Sequence, residues 1–197
     1  MTPNVVLRTG AEISDPVGVV LGFPRSWRFE TGDSSPRFRE SDLRLANRGG
    51  ARIAGTEIAA ILERRRAIER ALGKIDATAS LTARSVPWSP LEQLFDAFAG
   101  IRGVGFSKMT KALHPKRPAL IPMLDSVVQN HLRGDDLSAD APFGERALAF
   151  VRGYKRDVDG NREALRVTRQ ELGRRGYVVS EVRILDLLIW SVDASSA

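Results

Sequence analysis

At 197 residues and 43% hydrophobic composition, the chain is long enough for one large domain or two small ones with a real core. It has no cysteine and only two histidines, His114 and His131, which excludes disulfides, thiolate nucleophiles, cysteine-ligated zinc and iron–sulfur clusters and leaves no His-rich metal site. The net charge is +6, no apolar run approaches about 18 residues, and residues 1–10 lack the apolar stretch of a signal peptide, so the expectation is a basic, cytoplasmic, non-membrane protein without metal or cofactor.

Residues 1–38 hold two apolar patches, residues 17–23 and the Trp27/Phe29 pair, broken by Gly22, Pro24, Gly32 and Pro36. They read as an irregular N-terminal arm with room for a short strand. A short helix is expected from Ser41, as N-cap, to about Asn47, where Gly49 and Gly50 stop it. Residues 56–72 place Ile58, Ile61, Leu62, Ile68 and Leu72 at helical spacing and predict one helix. Its Arg64-Arg65-Arg66 run reads first as a solvated face interleaved with Glu57, Glu63 and Glu69, and second as a phosphate contact.

Ser89-Pro90-Leu91-Glu92 has the form of a capped helix start, and Leu91, Leu94, Phe95 and Phe98 mark its inward face. A turn over residues 100–105 leads to a short helix over residues 107–113. Pro115, Pro118 and Pro122 predict an extended crossing to Asp125, which heads a helix to about Leu132. After an acidic loop at residues 135–140, helices are expected over about 143–157, 161–175 and 180–192, with Ser180 as a cap and Val182, Leu185, Leu188 and Ile189 as a core stripe. The fold class is therefore mostly α, with the arm at residues 1–38 and a helical domain over residues 39–197.

Ile101-Arg102-Gly103-Val104-Gly105-Phe106-Ser107-Lys108 has the pattern of a helix-hairpin-helix turn. Gly103 and Gly105 permit a tight path on which a phosphate approaches the main chain, and Val104 tucks back between the helices. The first N–H groups of the second helix then face the phosphate, with Lys108 and Lys111 adding charge. Residues 102–133 hold six basic residues (Arg102, Lys108, Lys111, Lys116, Arg117, Arg133) against one acid, Asp125, and so carry five of the six net positive charges. Focused charge of this kind is the footprint of phosphate contacts. An αα-hairpin used only for packing is the alternative.

The stretch from Phe98 to Val128 resembles the core of the helix-hairpin-helix DNA glycosylases. The resemblance rests on Gly103-Val104-Gly105 followed by Asp125 opening the next helix, 18 residues beyond Ser107, within the segment 118–128. The chain also resembles a group of uncharacterised bacterial proteins sharing Lys116-Arg117-Pro118-x-Leu120-Ile121-Pro122-x-x-Asp125. The glycosylase resemblance implies a helical fold, double-stranded DNA as partner, and Asp125 as the carboxylate that stabilises an oxocarbenium-like sugar. Bifunctional members carry a lysine where this chain has Ser107, so the implied activity is monofunctional base excision without strand cleavage. The family's usual Asp-Thr-His reads Asp125-Ser126-Val127 here.

A flipped base would stack on aromatic groups, for which Trp88, Trp27, Trp190 and Phe106 are candidates; core packing is the competing role of each. The DNA-binding set is Gly103, Val104, Gly105, Phe106, Ser107, Lys108, Lys111, Lys116 and Arg117. Two further readings stand beside excision. One is a non-catalytic DNA-binding module, and the other is an interaction domain whose basic strip meets an acidic protein.

Overall fold

The structure, a computed structural model, describes residues 3–23 and 33–194. Two short strands, β1 (Val5–Val6) and β2 (Glu12–Ile13), pair antiparallel with Val5 opposite Ile13. Among the described residues, ten α-helices follow: α1 (Pro16–Leu21), α2 (Glu40–Arg48), α3 (Gly55–Glu63), α4 (Arg65–Leu72), α5 (Trp88–Asp96), α6 (Phe106–Leu113), α7 (Ser126–His131), α8 (Phe143–Gly160), α9 (Arg162–Arg174) and α10 (Glu181–Ala194). The expected class, mostly α with a short N-terminal strand, is the class observed.

Within the arm, residues 3–23 are more regular than their Gly/Pro content implied. Its apolar patch at residues 17–21 forms α1, capped by Asp15, whose carboxylate accepts the Gly18 N–H at 2.9 Å. Val5, Leu7, Ile13, Val17 and Val20 all join the core. Asn161, at the start of α9, accepts the Val6 N–H at 2.8 Å and donates back to the Val6 carbonyl at 2.9 Å, so the hairpin is stitched to the far end of the chain.

Three expected helix boundaries shift. α2 begins at Glu40, where the Asp42 carboxylate accepts the Arg39 N–H at 2.7 Å, and Ser41 lies inside the helix. α5 begins at Trp88, so Ser89 is also internal, and its hydroxyl faces the Gln93 amide at 3.4 Å. The single helix expected over residues 56–72 is two, broken at Arg64. The charged run at residues 63–66 buries nothing, so no packing holds the axis straight there, and α4 turns to lay Ile68, Ala71 and Leu72 against α5.

The core is built around α10, whose residues from Glu181 to Ile189 are all buried and which packs on α1, α7, α8 and α9. α5 and α8 form the other main contact, and Leu91, Leu94, Phe95 and Phe98 are fully buried as their spacing predicted. Ser180 caps α10 as expected, its hydroxyl accepting the Arg183 N–H at 3.1 Å. The proline-rich crossing is not a simple extended strand. It starts with a 3-10 turn, His114–Lys116, and then runs through the interior, where the His114 Nδ1–H donates to the Ile121 carbonyl at 2.6 Å.

Candidate nucleic-acid interface

The hairpin is formed as its sequence requires. Ile101 and Val104 are buried in the core, and the Val104 N–H closes the turn on the Ile101 carbonyl at 3.1 Å. Gly103 has φ of 82°, in the left-handed region, and a Cβ there would also overlap the Glu57 carboxylate. Gly105 is different: its φ of −97° and ψ of −173° are extended, and a Cβ would meet nothing within 4 Å. It stands as the N-cap of α6 with no side chain on the first-turn N–H groups. That helix end is thus open beside the exposed Arg102, with partial positive charge from the aligned peptide dipoles.

The side chains expected to surround this opening are mostly engaged elsewhere. Lys108 donates to both Glu57 oxygens at 2.7 Å, and this bond holds the Glu57 carboxyl below its usual range. Glu57 also accepts the Ala54 N–H at 2.9 Å, capping α3. Phe106 packs inward on Phe143 and Phe150, with ring centroids 4.8 and 5.7 Å away and the Arg146 guanidinium over its ring; it anchors α6 to α8 rather than offering a stacking face. Ser107 is half-buried on the first turn.

Lys116 and Arg117 are not surface contacts at all, being 1% and 2% exposed. Lys116 pairs with Asp42 at 3.0 Å and faces Asp33 at 3.8 Å. Arg117 donates to the carbonyls of Leu72, Ile75, Ser34 and Lys116 at 2.6–3.2 Å, which ties the C-terminal end of α4 to the crossing. Burial lowers its pKa, with Asp76 acting in the opposite direction. The charge excess of residues 102–133 is therefore largely spent inside the molecule, and Arg102 and Arg133 are its exposed remainder.

Asp125 is the N-cap of α7: Oδ1 accepts the Val128 N–H at 3.2 Å. Its Oδ2 accepts the Trp190 indole N–H at 3.1 Å, and the Lys111 ammonium lies 4.0 Å away. The carboxylate is 6% exposed, whereas Trp190 is 39% exposed, so the indole forms a partly open cover over it. Of the aromatic candidates, Trp190 alone is brought to Asp125 by a described contact. Trp88 lies at the start of α5 beneath the Arg152 guanidinium, and Trp27 lies outside the described residues.

The segment leading to Asp125 is clamped from two sides. From α6, the buried Thr110 hydroxyl accepts the Leu124 N–H at 2.9 Å. From α10, Asp186 accepts the Met123 N–H at 3.3 Å, one helical turn before Trp190 reaches Asp125. Asp186 is fully buried and also accepts the Tyr154 hydroxyl at 3.0 Å. Burial pushes its carboxyl up to about 6; the Asp125 charge acts in the same direction, and Arg183 and His114 act against it. Sequence reasoning missed Glu57 and Asp186. For Asp186 a signal existed, an acid set inside the apolar stripe of α10.

A carboxyl whose folded pKa exceeds its unfolded value holds its proton more tightly in the folded protein. The contribution of Asp186 is therefore full below about pH 4 and is lost as pH rises through about 6, a change of about 3 kcal/mol for a rise of this size. Between about pH 4 and pH 7, the unfolding free energy of the native chain should fall relative to Asp186→Asn by about that amount in urea titrations. A pH-independent difference between the two proteins would contradict the assignment.

The profile of a family of unknown function, DUF6308, matches residues 28–193. No curated protein and no solved structure matches the chain. With the match extending from the arm through α10, the chain belongs to the DUF6308 family.

Proposed function

We propose that the chain binds duplex DNA and that the 101–113 hairpin receives a backbone phosphate. The observation that carries this reading is the open N-terminus of α6 at Gly105, beside the exposed Arg102. Such a terminus offers several N–H donors and a favourable dipole to an anion. Lys108 joins the contact by exchanging the Glu57 carboxylate for phosphate. Glu57→Gln removes the competitor while keeping an acceptor for the Ala54 N–H, so duplex affinity should rise about threefold to tenfold in an anisotropy titration at low salt. Weaker binding by a folded Glu57→Gln would place Lys108 off the interface.

A second reading, monofunctional base excision, is favoured by the partly exposed Trp190 indole seated on Asp125 at the head of α7. A carboxylate there would stabilise the cationic sugar as the N-glycosidic bond breaks, and the indole would stack on the flipped base. With both oxygens of Asp125 engaged at rest, excision requires Trp190 to release Oδ2. Incubation with a panel of modified-base duplexes, followed by alkali, tests it. Strand breaks with the native protein but not with Asp125→Asn support excision, and an uncut panel leaves the binding module. Ser107 offers no amine for a Schiff base, so borohydride should trap no adduct on an abasic duplex.

A further inference from the structure

The exposed cationic surface lies on other elements than the hairpin. Arg64, Arg66 and Arg70 are all exposed around the α3–α4 break, and among the described residues none of them forms an ion pair. Arg66 and Arg70 are four apart on one helix face, an arrangement of like charges that costs a few tenths of a kcal/mol when uncompensated. The Phe38 N–H donates to Glu69 Oε1 at 2.9 Å, which lays the segment around Phe38 against α4. Phe38 itself is fully buried, and its neighbours Arg37 and Arg39 are exposed beside it.

Among the described residues, no nearby carboxylate forms an ion pair with Arg64, Arg66 or Arg70. Glu69 is occupied by Phe38 and by Arg65 at 3.2 Å. Asp33 lies close enough for Arg39 to lower its pKa, behind the Ser35 hydrogen bonds that lower it most. Glu63 is the other acid at the break. Arg70 Nε donates to the Arg66 carbonyl at 3.3 Å, and the exposed guanidinium N–H groups that remain on Arg64, Arg66 and Arg70 fit a polyanion.

α3 links this face to the hairpin. Its N-terminal end carries Glu57, which holds Lys108, and its C-terminal end meets Arg64. Nine residues span about 14 Å of helix, the length of about four base-pair steps at about 3.4 Å each. We propose that the arginines of the α3–α4 break and of residues 37–39 form a second backbone-contact surface for the same DNA duplex. The duplex would lie along α3 from the hairpin to α4. This inference rests on the duplex-binding reading and extends it to a different set of residues.

The test uses the full chain and a 16-base-pair duplex, about four times the span of α3. Arg66→Glu with Arg70→Glu should weaken binding at least about tenfold and reduce the salt slope by about two, one for each lost phosphate contact. Arg66→Gln with Arg70→Gln should give a smaller loss at an unchanged melting temperature, which separates contact from folding. Wild-type affinity and slope in both double variants overturn the proposal. If Gly105→Asp binds normally while the arginine variants do not, the hairpin reading fails and this surface stands. If the native chain binds no duplex, both fail. Tighter binding to single-stranded RNA than to duplex DNA overturns the choice of partner.

Discussion

Replacing Gly105 by aspartate should weaken duplex binding by at least about tenfold and leave the fold as stable as before or slightly more so. The two effects oppose each other for a physical reason. The position is extended, a Cβ meets nothing within 4 Å, and α6 lacks a side-chain cap, so an aspartate there adopts an ordinary N-cap geometry. Filling the cap and restricting the unfolded chain together add about 0.5–1 kcal/mol. The same carboxylate occupies the N–H groups offered to phosphate and repels the DNA backbone. A site used only to pack two helices would show the stability gain without the binding loss. Urea unfolding and anisotropy on one preparation read both quantities.

Arg117→Leu should be among the most destabilising single changes in the chain. The guanidinium is 2% exposed and serves four carbonyls, those of Leu72, Ile75, Ser34 and Lys116. Its removal leaves buried acceptors without donors, at about 1–3 kcal/mol for each left unpaired, for a net loss of about 3–5 kcal/mol. For a domain of this size that lowers the melting temperature by about 10 °C or more. Thermal denaturation followed by circular dichroism measures it. A variant that melts normally but binds DNA weakly would return Arg117 to the interface and contradict its structural role.

The features legible in the sequence were those set by neighbours within one helical turn. Val104 tucks in, Leu91, Leu94, Phe95 and Phe98 face the core, and Asp125 caps α7 because these depend on local spacing. Counting charge in a window failed for a related reason. It treats each lysine and arginine as solvated, whereas Lys108 meets Glu57 51 residues away and Arg117 meets Ile75 42 residues away. Neither partner announces itself in a linear pattern. Phe106 takes the core role that competed with stacking, and Phe143 and Phe150, which cover it, lie on α8. The Arg64-Arg65-Arg66 run is a solvated face, as its interleaved glutamates suggest, but the pattern does not show that the fold commits Glu57 and Glu69 to other partners.

Duplex binding itself is the claim on which the hairpin, the Glu57 exchange and the arginine surface all depend. An anisotropy titration of a labelled 16-base-pair duplex with the native chain, repeated between about 50 and 200 mM salt, tests it directly. Contacts to about four or five phosphates predict micromolar or tighter binding at the lowest salt and a log–log salt slope near −4. Absence of binding at about 100 μM protein in 50 mM salt, or an affinity indifferent to salt, would contradict it.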